Sequence, residues 1–198
     1  MKTHALALGL AAVALTITGC NNSGGNANKT AQSPEAKKAA GTKTIAAGLA
    51  SNGQFMAAAK AAGLDQTLAG PGPYTVLVPD DAAIGKAPAG AFDASPQNRA
   101  QLTGVITNMI LPGTVMVADI DKAIDAGKGK AALATMGTST LTATKEGGKT
   151  VLADASGHKA TITQGDDQFS NGVVHHIDAV LMPSKKATGP AVGQKAGK

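Results

Sequence analysis

The amino-acid sequence predicts a single α+β domain over residues 44–183. Apolar residues at helical spacing are concentrated in the first half of this segment, whereas strand and turn patterns fill the second half. An apolar run over residues 171–183 then closes the segment. Helices followed by strands favour separate helical and sheet layers over repeated βαβ units.

The run 171–183 has the pattern of a central strand. It begins with the turn dipeptide Asn171-Gly172 and ends at Pro183. Alternation places mostly apolar side chains on both faces, which is typical of a strand that lies between two layers. The polar residues His175 and Asp178 would then need hydrogen-bond partners inside the fold.

Six helices are predicted in the first half of the segment. Each begins near a break or a short polar side chain that can accept a hydrogen bond from the first turn. The clearest apolar face belongs to the helix after Pro96, because its apolar residues follow an i, i+3, i+4, i+7 pattern. Candidate N-caps are Thr44, Asp80 or Asp81, Ser95 and Asp119; the predicted helices are 44–50, 54–62, 64–68, one containing 82–84, one carrying Leu102, Val105, Ile106 and Met109, and one carrying Ile120, Ala123 and Ile124.

Strands are predicted mainly in the second half. Two short polar segments, 146–149 and 154–157, have the glycine content of hairpin turns. The pair Asp166-Asp167 is predicted to lie in a solvated loop before the last strand, with a weak Ca²⁺ contact as a minor alternative. The predicted strands are 74–78, 114–117, 132–136, 139–144, 150–153, 159–163 and the run 171–183.

Composition restricts both the core and the partners. Hydrophobic residues make up 43% of the chain and aromatic residues only 2%, so the core must be built mainly from aliphatic side chains. Base stacking has few aromatic rings to use, which disfavours nucleic-acid binding. The net charge of +5 comes from the flanks, because segment 44–183 carries nine Lys and Arg against twelve Asp and Glu.

The first residues have the pattern of an export signal. Residues 1–19 contain Lys2 followed by the apolar run 5–17, which is short for a membrane span. Ile17-Thr18-Gly19-Cys20 resembles the bacterial lipobox, in which the cysteine is lipidated and becomes the mature N-terminus. Cys20 is the only cysteine, so it cannot form an internal disulfide. The alternative is an ordinary signal peptide with a chance cysteine.

The segments that flank the predicted domain lack a hydrophobic face. Residues 20–43 are rich in Asn, Ser, Gly, Ala and Lys and are predicted to be a flexible tether. Residues 184–198 have a similar composition and are predicted to be a disordered Lys-rich tail. Acyl chains on Cys20 would anchor the tether to a membrane, and Asn21 at the next position is compatible with the outer membrane.

Two blocks of the sequence resemble the conserved boxes of fasciclin (FAS1) domains. The block 74–84, Tyr-Thr-Val-Leu-Val-Pro-Asp-Asp-Ala-Ala-Ile, is similar to the first box. The run 171–183 is similar to the second, Asn-Gly-Val-Ile-His-x-Ile-Asp-x-Val-Leu-x-Pro. The resemblance implies a wedge of two β-sheets with helices packed around it. It also implies a structural role for a set of signature residues: Tyr74, Thr75, Val76, Pro79, Asp81, Asn171, Gly172, His175, Asp178 and Pro183.

The sequence departs from this family before the Pro-Gly dipeptide. Family members usually carry a Tyr-His pair there, which is implicated in adhesion in animal members, whereas this chain has Asn108 and Met109. Met109 lies on the apolar face of the predicted helix, so we expect it to pack in the core. A function that depends on the histidine of that pair therefore lacks its residue here.

Three histidines of the predicted domain are candidate sites of chemistry. His175 has the residue type of a ligand or a base, but the resemblance favours a buried structural residue bonded to the backbone. His176 and Asp178 share a strand face and are candidates for an ion pair or part of a metal site, although no third ligand has usable spacing. His158, beside a glycine turn, is expected at the surface. No nucleophile motif or phosphate-binding glycine loop is present, so neither enzyme activity nor a cofactor is predicted.

Three functions follow from these observations. The first is a lipid-anchored module of the cell envelope that adheres to an extracellular protein or polysaccharide, as the resemblance implies. The second is a carrier of a small apolar ligand such as a lipid or pigment, which a pocket lined by Met and Leu would favour. The third, an enzyme, would need a base and a nucleophile that the sequence does not pair. The sequence assigns no oligomeric state.

Overall fold

The computed structural model describes residues 41–49, 53–137 and 139–184. The predicted signal peptide, Cys20, most of the tether and residues 185–198 lie outside them. The helices are α1 (Ile45–Gly48), α2 (Gly53–Ala62), α3 (Asp65–Ala69), α4 (Asp81–Gly85), α5 (Arg99–Asn108) and α6 (Val117–Ala126), with a 3-10 helix at Pro96–Asn98. The strands are β1 (Tyr74–Pro79), β2 (Ile110–Pro112), β3 (Ala131–Ala134), β4 (Thr140–Glu146), β5 (Lys149–Ala153), β6 (Lys159–Phe169) and β7 (Gly172–Ile177).

The described strands form a mixed sheet in the order β2-β1-β7-β6-β5-β4-β3. β1 and β7 run parallel, and each of the other neighbouring pairs is antiparallel. β7 lies between β1 and β6, so the prediction that it is a central strand is confirmed. With the helices placed mostly before the sheet in the sequence, the predicted α+β class is also confirmed.

The two sheets of the expected wedge share strand β6. Its first residues pair with β5, through Lys159↔Ala153 and Thr161↔Val151, and its later residues pair with β7, through Ile162↔Ile177 and Phe169↔Gly172. The register shifts twice along the β6–β7 pair, and such irregularities bend a strand and increase its twist. The bent strand β6 therefore belongs to both sheets and joins them into one continuous order of the seven described strands.

The two ends of this order approach each other. After β3 the backbone amide of Met136 donates a hydrogen bond of 2.7 Å to the carbonyl oxygen of Ile110 in β2. The sheet is therefore curled, so that the chain leaving one edge strand contacts the other edge strand.

The core between the sheet and the helices is mainly aliphatic, as the composition predicts. The predicted apolar face of α5 is confirmed, because Leu102, Val105, Ile106 and Met109 are all fully buried. α2 packs against α5 and contributes Phe55 and three buried alanines. Residues with small or aliphatic side chains thus fill the space that larger aromatic residues occupy in many domains.

The prediction of a strand at 114–117 is wrong. The structure places a strand at Ile110–Pro112 instead, and α6 begins at Val117. Side chains hold the intervening backbone: Thr75 Oγ1 donates to the carbonyl of Gly113 at 2.8 Å and accepts from the amide of Val115 at 2.9 Å. These bonds occupy backbone groups that a strand ladder would otherwise pair.

The prediction of a loop at Asp166-Asp167 is also wrong, because both residues lie inside β6. Asp166 has a positive φ of 66°, a conformation that Asp tolerates better than most residues. It lies where the pairing of β6 with β7 shifts, between Gln164 and Asp167. The acidic pair that was predicted to lie in a loop thus marks an irregularity within a long strand.

The predicted helix caps had mixed outcomes. Thr44 is confirmed, because its Oγ1 accepts from the amide of Ala47. Asp80 and Ser95 occupy N-cap positions, but neither side chain makes a capping hydrogen bond. The amide of Ser95 instead donates to the carboxylate of Asp93 at 2.9 Å. Asp119 lies at the third position of α6 rather than at its N-cap.

Candidate functional sites

His175 is fully buried, and both of its ring nitrogens are occupied. The backbone amide of Asp166 donates to Nδ1 at 3.0 Å, so Nδ1 carries no proton. Nε2 is then protonated, and it donates to the carbonyl oxygen of Val115 at 2.8 Å. The ring therefore ties β7 to β6 and to the segment before α6. This geometry confirms the expected buried residue bonded to the backbone.

Burial lowers the pKa of His175 below its ordinary value of 6.5, because a charged ring would lose its hydration there. The hydrogen bond to Val115 and the charges of Asp166 and Asp167 act in the opposite direction but are smaller effects. The ring is thus held neutral, in one tautomer, with no free nitrogen. A base or a ligand needs such a nitrogen, so His175 is not available for either role as it stands.

Asn171 is a second buried polar residue at which several elements meet. Its Oδ1 accepts from the amide of Ile45 at 2.8 Å, at the start of α1. Its Nδ2 donates to the carbonyl oxygens of Leu68 and Gly70 at 2.8 Å each, at the end of α3. One amide side chain thereby fixes α1 and α3 against the start of β7.

The other signature residues support the β1–β7 pair or its ends. Gly172 lies against Tyr74, where an added Cβ would overlap the tyrosine carbonyl oxygen. Thr75, Val76 and Pro79 are buried in β1. Asp178 accepts from the amide of Thr161 at 2.6 Å. The two remaining signature positions are Asp81, exposed in the first turn of α4, and Pro183, which is partly buried.

Asn108 and Met109 are both fully buried. They stand where the family that the sequence resembles usually has a Tyr-His pair. Met109 packs in the core as expected. The Nδ2 of Asn108 donates to the carbonyl oxygen of Leu181 at 3.1 Å, and its Oδ1 lies 3.5 Å from Thr135 Oγ1. These two positions are therefore part of the interior and offer no surface side chain to a partner.

His176 has acidic neighbours other than the one the sequence suggested. Its Nε2 lies 3.3 Å from the carboxylate of Asp167, and its Nδ1 lies 3.9 Å from that of Asp80. The carboxylate of Asp178 is bonded to Thr161 instead, so the hypothesis of a His176–Asp178 pair is wrong. Across the described ranges, no cluster of three or more His, Cys, Asp or Glu is arranged to hold a metal ion.

A shallow cleft of about 200 Å³ lies beside the end of α4. Three segments form it: the end of α4 with the following loop, the start of β6, and the chain after β7. Its lining residues are Ala83, Lys86, Ala87, Pro88, His158, Lys159, Asp178, Ala179 and Val180. The cleft is smaller than the roughly 300–1,000 Å³ usual for drug-sized ligands, and neither Met nor Leu lines it.

Asp154 positions His158 at one side of this cleft, a role that no sequence-based prediction assigned to it. Its side chain is 1% exposed, yet the carboxylate accepts from the amides of Ser156, His158 and Met182 at 2.8–3.0 Å. Its Oδ2 also lies 2.8 Å from Nδ1 of His158, whose side chain is 46% exposed. An Asp at the start of a tight turn commonly accepts hydrogen bonds from backbone amides later in the turn. The predicted turn 154–157 therefore contained a signal for the role of Asp154.

Comparison with known proteins agrees with this architecture. A family model for the fasciclin domain matches residues 51–183. The protein sll1483 of Synechocystis sp. is 31% identical over 141 residues, which cover 70% of this chain and 71% of that protein. The protein sll1735 of the same organism is 29% identical over 131 residues, covering 65% of this chain and 86% of the relative.

A solved structure shares the fold. It is a FAS1 domain pair from the insect cell adhesion molecule fasciclin I, with a TM-score of 0.56 and 19% sequence identity. The match covers 73% of this chain and 52% of that one, so this chain spans about half of the structure it matches.

Fold and signature together define an α+β module organised around the buried β1–β7 pair. The family match covers most of that module, and the chain therefore belongs to the fasciclin domain family. Members of this family are generally non-enzymatic. No helix among the described residues has the length and apolar character needed to cross a membrane.

Proposed function

We propose that this protein is a non-enzymatic, lipid-anchored adhesion module of the bacterial cell envelope. The observation that carries the proposal is the fasciclin domain over residues 51–183. A structure with the same fold comes from a cell adhesion molecule, and the sequence relatives are bacterial. The partner is an extracellular protein or polysaccharide, and the module binds it through its surface.

The anchor is Cys20, which follows Ile17-Thr18-Gly19 in the sequence. Cleavage before this residue and acylation would place the domain on a tether of residues 20–43. A flexible chain of that length spans roughly 25–30 Å on average, enough to hold the domain away from the lipid surface. We assign the anchored protein to the outer membrane.

The described geometry supports binding over catalysis or transport. His175, which is fully buried, has both ring nitrogens bonded to backbone groups. The cleft beside α4 is lined by charged and small residues rather than by the Met and Leu expected for an apolar carrier. A surface partner thus fits these residues better than an enclosed ligand.

Native purification from membranes followed by mass spectrometry tests the anchor. We expect a mature chain that begins at acylated Cys20, and a Cys20→Ser variant that is released from the membrane fraction. An unmodified Cys20 still preceded by residues 1–19 would contradict the anchor. Co-purification of one stoichiometric lipid or pigment would favour the carrier instead.

Proteoliposomes that hold the full-length protein test adhesion. We expect them to be retained on immobilised extracellular proteins or polysaccharides more than protein-free vesicles of the same lipid. The Cys20→Ser protein is the matched control, because it keeps the domain but cannot tie the vesicle to the surface. Equal retention of loaded and empty vesicles on every surface would contradict the proposal.

A further inference from the structure

The cleft beside α4 brings together two lysines and one histidine. Lys86 directly follows the short helix α4, His158 directly precedes β6, and Lys159 is the first residue of β6. Lys86 belongs to one segment and His158 and Lys159 to another, so the fold brings them to the same cleft. From this juxtaposition we propose that the cleft is a binding site for one small oxyanion, a carboxylate or a sulfate group.

The histidine of the cleft is held in a fixed orientation. Its Nδ1 lies 2.8 Å from the buried carboxylate of Asp154, so Nδ1 carries the proton and Nε2 is the ring nitrogen left toward solvent. His158 is thus fixed with the lone pair of Nε2 toward solvent, where it can accept a hydrogen bond from a hydroxyl group of the ligand, with Asp154 as a positioning residue.

The lysines provide the positive charge. Lys86 has no ion pair among the residues that the structure describes. Lys159 lies 2.6 Å from Glu146, but both side chains are about half exposed, and pairs of that kind contribute little. An anion in the cleft could therefore share Lys159 with Glu146. Hydrogen bonds between charged groups are the stronger ones, which favours an ionised ligand over a neutral one.

The acidic residue that lines the cleft has one carboxylate oxygen committed to a backbone hydrogen bond. This residue is Asp178, which accepts the short bond from the amide of Thr161. The remainder of the lining is apolar: Ala83, Ala87, Pro88, Ala179 and Val180. This surface suits the C–H groups of a carrier molecule such as a sugar ring, while the cleft volume admits one group and not a polymer.

The inference rests on the proposed adhesion role, for which it names one binding site and one ligand chemistry. Carboxylate and sulfate groups are the charged groups of acidic polysaccharides, and both also occur as free ions. The shared chemistry is the oxyanion, and the probes below separate the two sources.

Histidine-labelled full-length protein offers a direct test by NMR, since the chain has only four histidines. We expect sodium glucuronate, at constant ionic strength, to shift the ring signals of His158 in a saturable way. The same concentration of glucose, its neutral counterpart, should not shift them. His175 acts as an internal control, because its ring is buried and its nitrogens are occupied.

Two variants connect the shift to the cleft. Lys86→Gln should weaken glucuronate binding about tenfold, the effect of losing one charge-assisted hydrogen bond. Lys130→Gln removes an exposed lysine outside the cleft and should leave binding unchanged. Absence of a His158 shift, an equal shift with sodium chloride, or an equal effect of the two variants would overturn the proposal.

Two further probes identify the source of the anion. Tighter binding of an oligouronate than of inorganic sulfate would support an acidic polysaccharide, and the reverse order would support a free ion; both keep the oxyanion site. Failure of this site is distinguishable from failure of the adhesion role. Proteoliposomes that adhere while His158 stays silent would remove the site and retain the adhesion role.

Discussion

His175 and His158 are both oriented by hydrogen bonds, but they lie in two different regions of the molecule. In the signature region around β1 and β7, His175 is fully buried and each ring nitrogen meets a backbone group. In the cleft beside α4, His158 has one nitrogen fixed by Asp154 and a side chain that is 46% exposed. Both rings are held in place, but only one has a nitrogen left for a ligand.

Polar residues of the signature region thus stabilise the fold, whereas polar residues of the cleft leave side-chain atoms open to a ligand. The hydrogen-bond capacity of Asn171 and His175 is directed inward, toward α1, α3, β6 and the segment before α6. In the cleft, the buried Asp154 uses its capacity to orient a neighbour that faces solvent. A residue typical of the family is therefore a poor guide to surface positions that are open to a ligand.

The largest expected loss of stability comes from a substitution within the signature region. Replacing Gly172 by Val places a side chain against the carbonyl oxygen of Tyr74, where the parallel strands approach too closely for any Cβ. We expect a loss of at least about 4 kcal/mol in the free energy of unfolding, measured by urea denaturation.

Gly85→Ala is the matched control, because an added Cβ there meets no atom within 4 Å. We expect it to change stability by less than about 1 kcal/mol, in the stabilising direction. Similar losses of stability for both variants would show that the close approach of β1 and β7 is not the reason that position 172 requires glycine.

A smaller effect contrasts the two histidines directly. His175→Leu leaves the carbonyl of Val115 and the amide of Asp166 without their partner, which should cost about 1–3 kcal/mol. His158→Leu leaves Asp154 with three amide donors and should cost under about 1 kcal/mol. Thermal unfolding of the two variants measures both; equal losses would end the distinction between the regions.

The pH dependence of stability should follow His175. Burial lowers its pKa in the folded state, so below pH 6.5 the unfolded chain binds more protons at this residue than the folded chain does. The stability it contributes is complete above that pH and is lost as the pH falls toward the folded pKa. The slope from this one group is at most about 1.4 kcal/mol per pH unit.

Urea unfolding between pH 7.5 and 5 measures this component as the difference between the native protein and His175→Leu. We expect the difference to shrink as the pH falls, since the variant lacks the titrating ring. A difference that stays constant over this range would argue that the ring is not held neutral by burial.

The smallest expected effect is a change in the anion affinity of the cleft. Glu146→Gln releases Lys159 from an exposed ion pair and should lower stability by under about 1 kcal/mol. The freed lysine should raise glucuronate affinity about two- to threefold, a change that NMR titration resolves. Asp121, which pairs with Lys145 away from the cleft, provides the control variant Asp121→Asn. A gain in affinity for both variants would indicate a general charge effect.

Much of the fold could be predicted because its signals are local. The apolar spacing of Leu102, Val105 and Ile106 fixed one buried helix face, and Gly147-Gly148 fixed a hairpin turn through their positive φ angles. The two-sided apolar character of 171–183 indicated a central strand. These features depend on neighbours within one turn of helix or one hairpin.

The remaining features depend on partners far along the chain. Val115 looked like part of a strand, but Thr75 and His175 bind its backbone from 40 and 60 residues away. Asp166 looked like a loop residue, but His175 and Val117 bind it inside β6. Lys86 and His158 line the same cleft from two different segments, and their spacing in the sequence does not indicate that they lie close together.

The hydrogen bond from Met136 to Ile110 also has a consequence for crowded surfaces. A sheet edge with unpaired backbone groups recruits strands from other molecules, and anchoring to a membrane concentrates copies of a protein. Here the chain leaving one edge strand covers part of the other, and β2 itself is only three residues long. The curled sheet thus leaves less of this edge open to pairing with another molecule, which would matter most if the proposed membrane anchor brings copies close together.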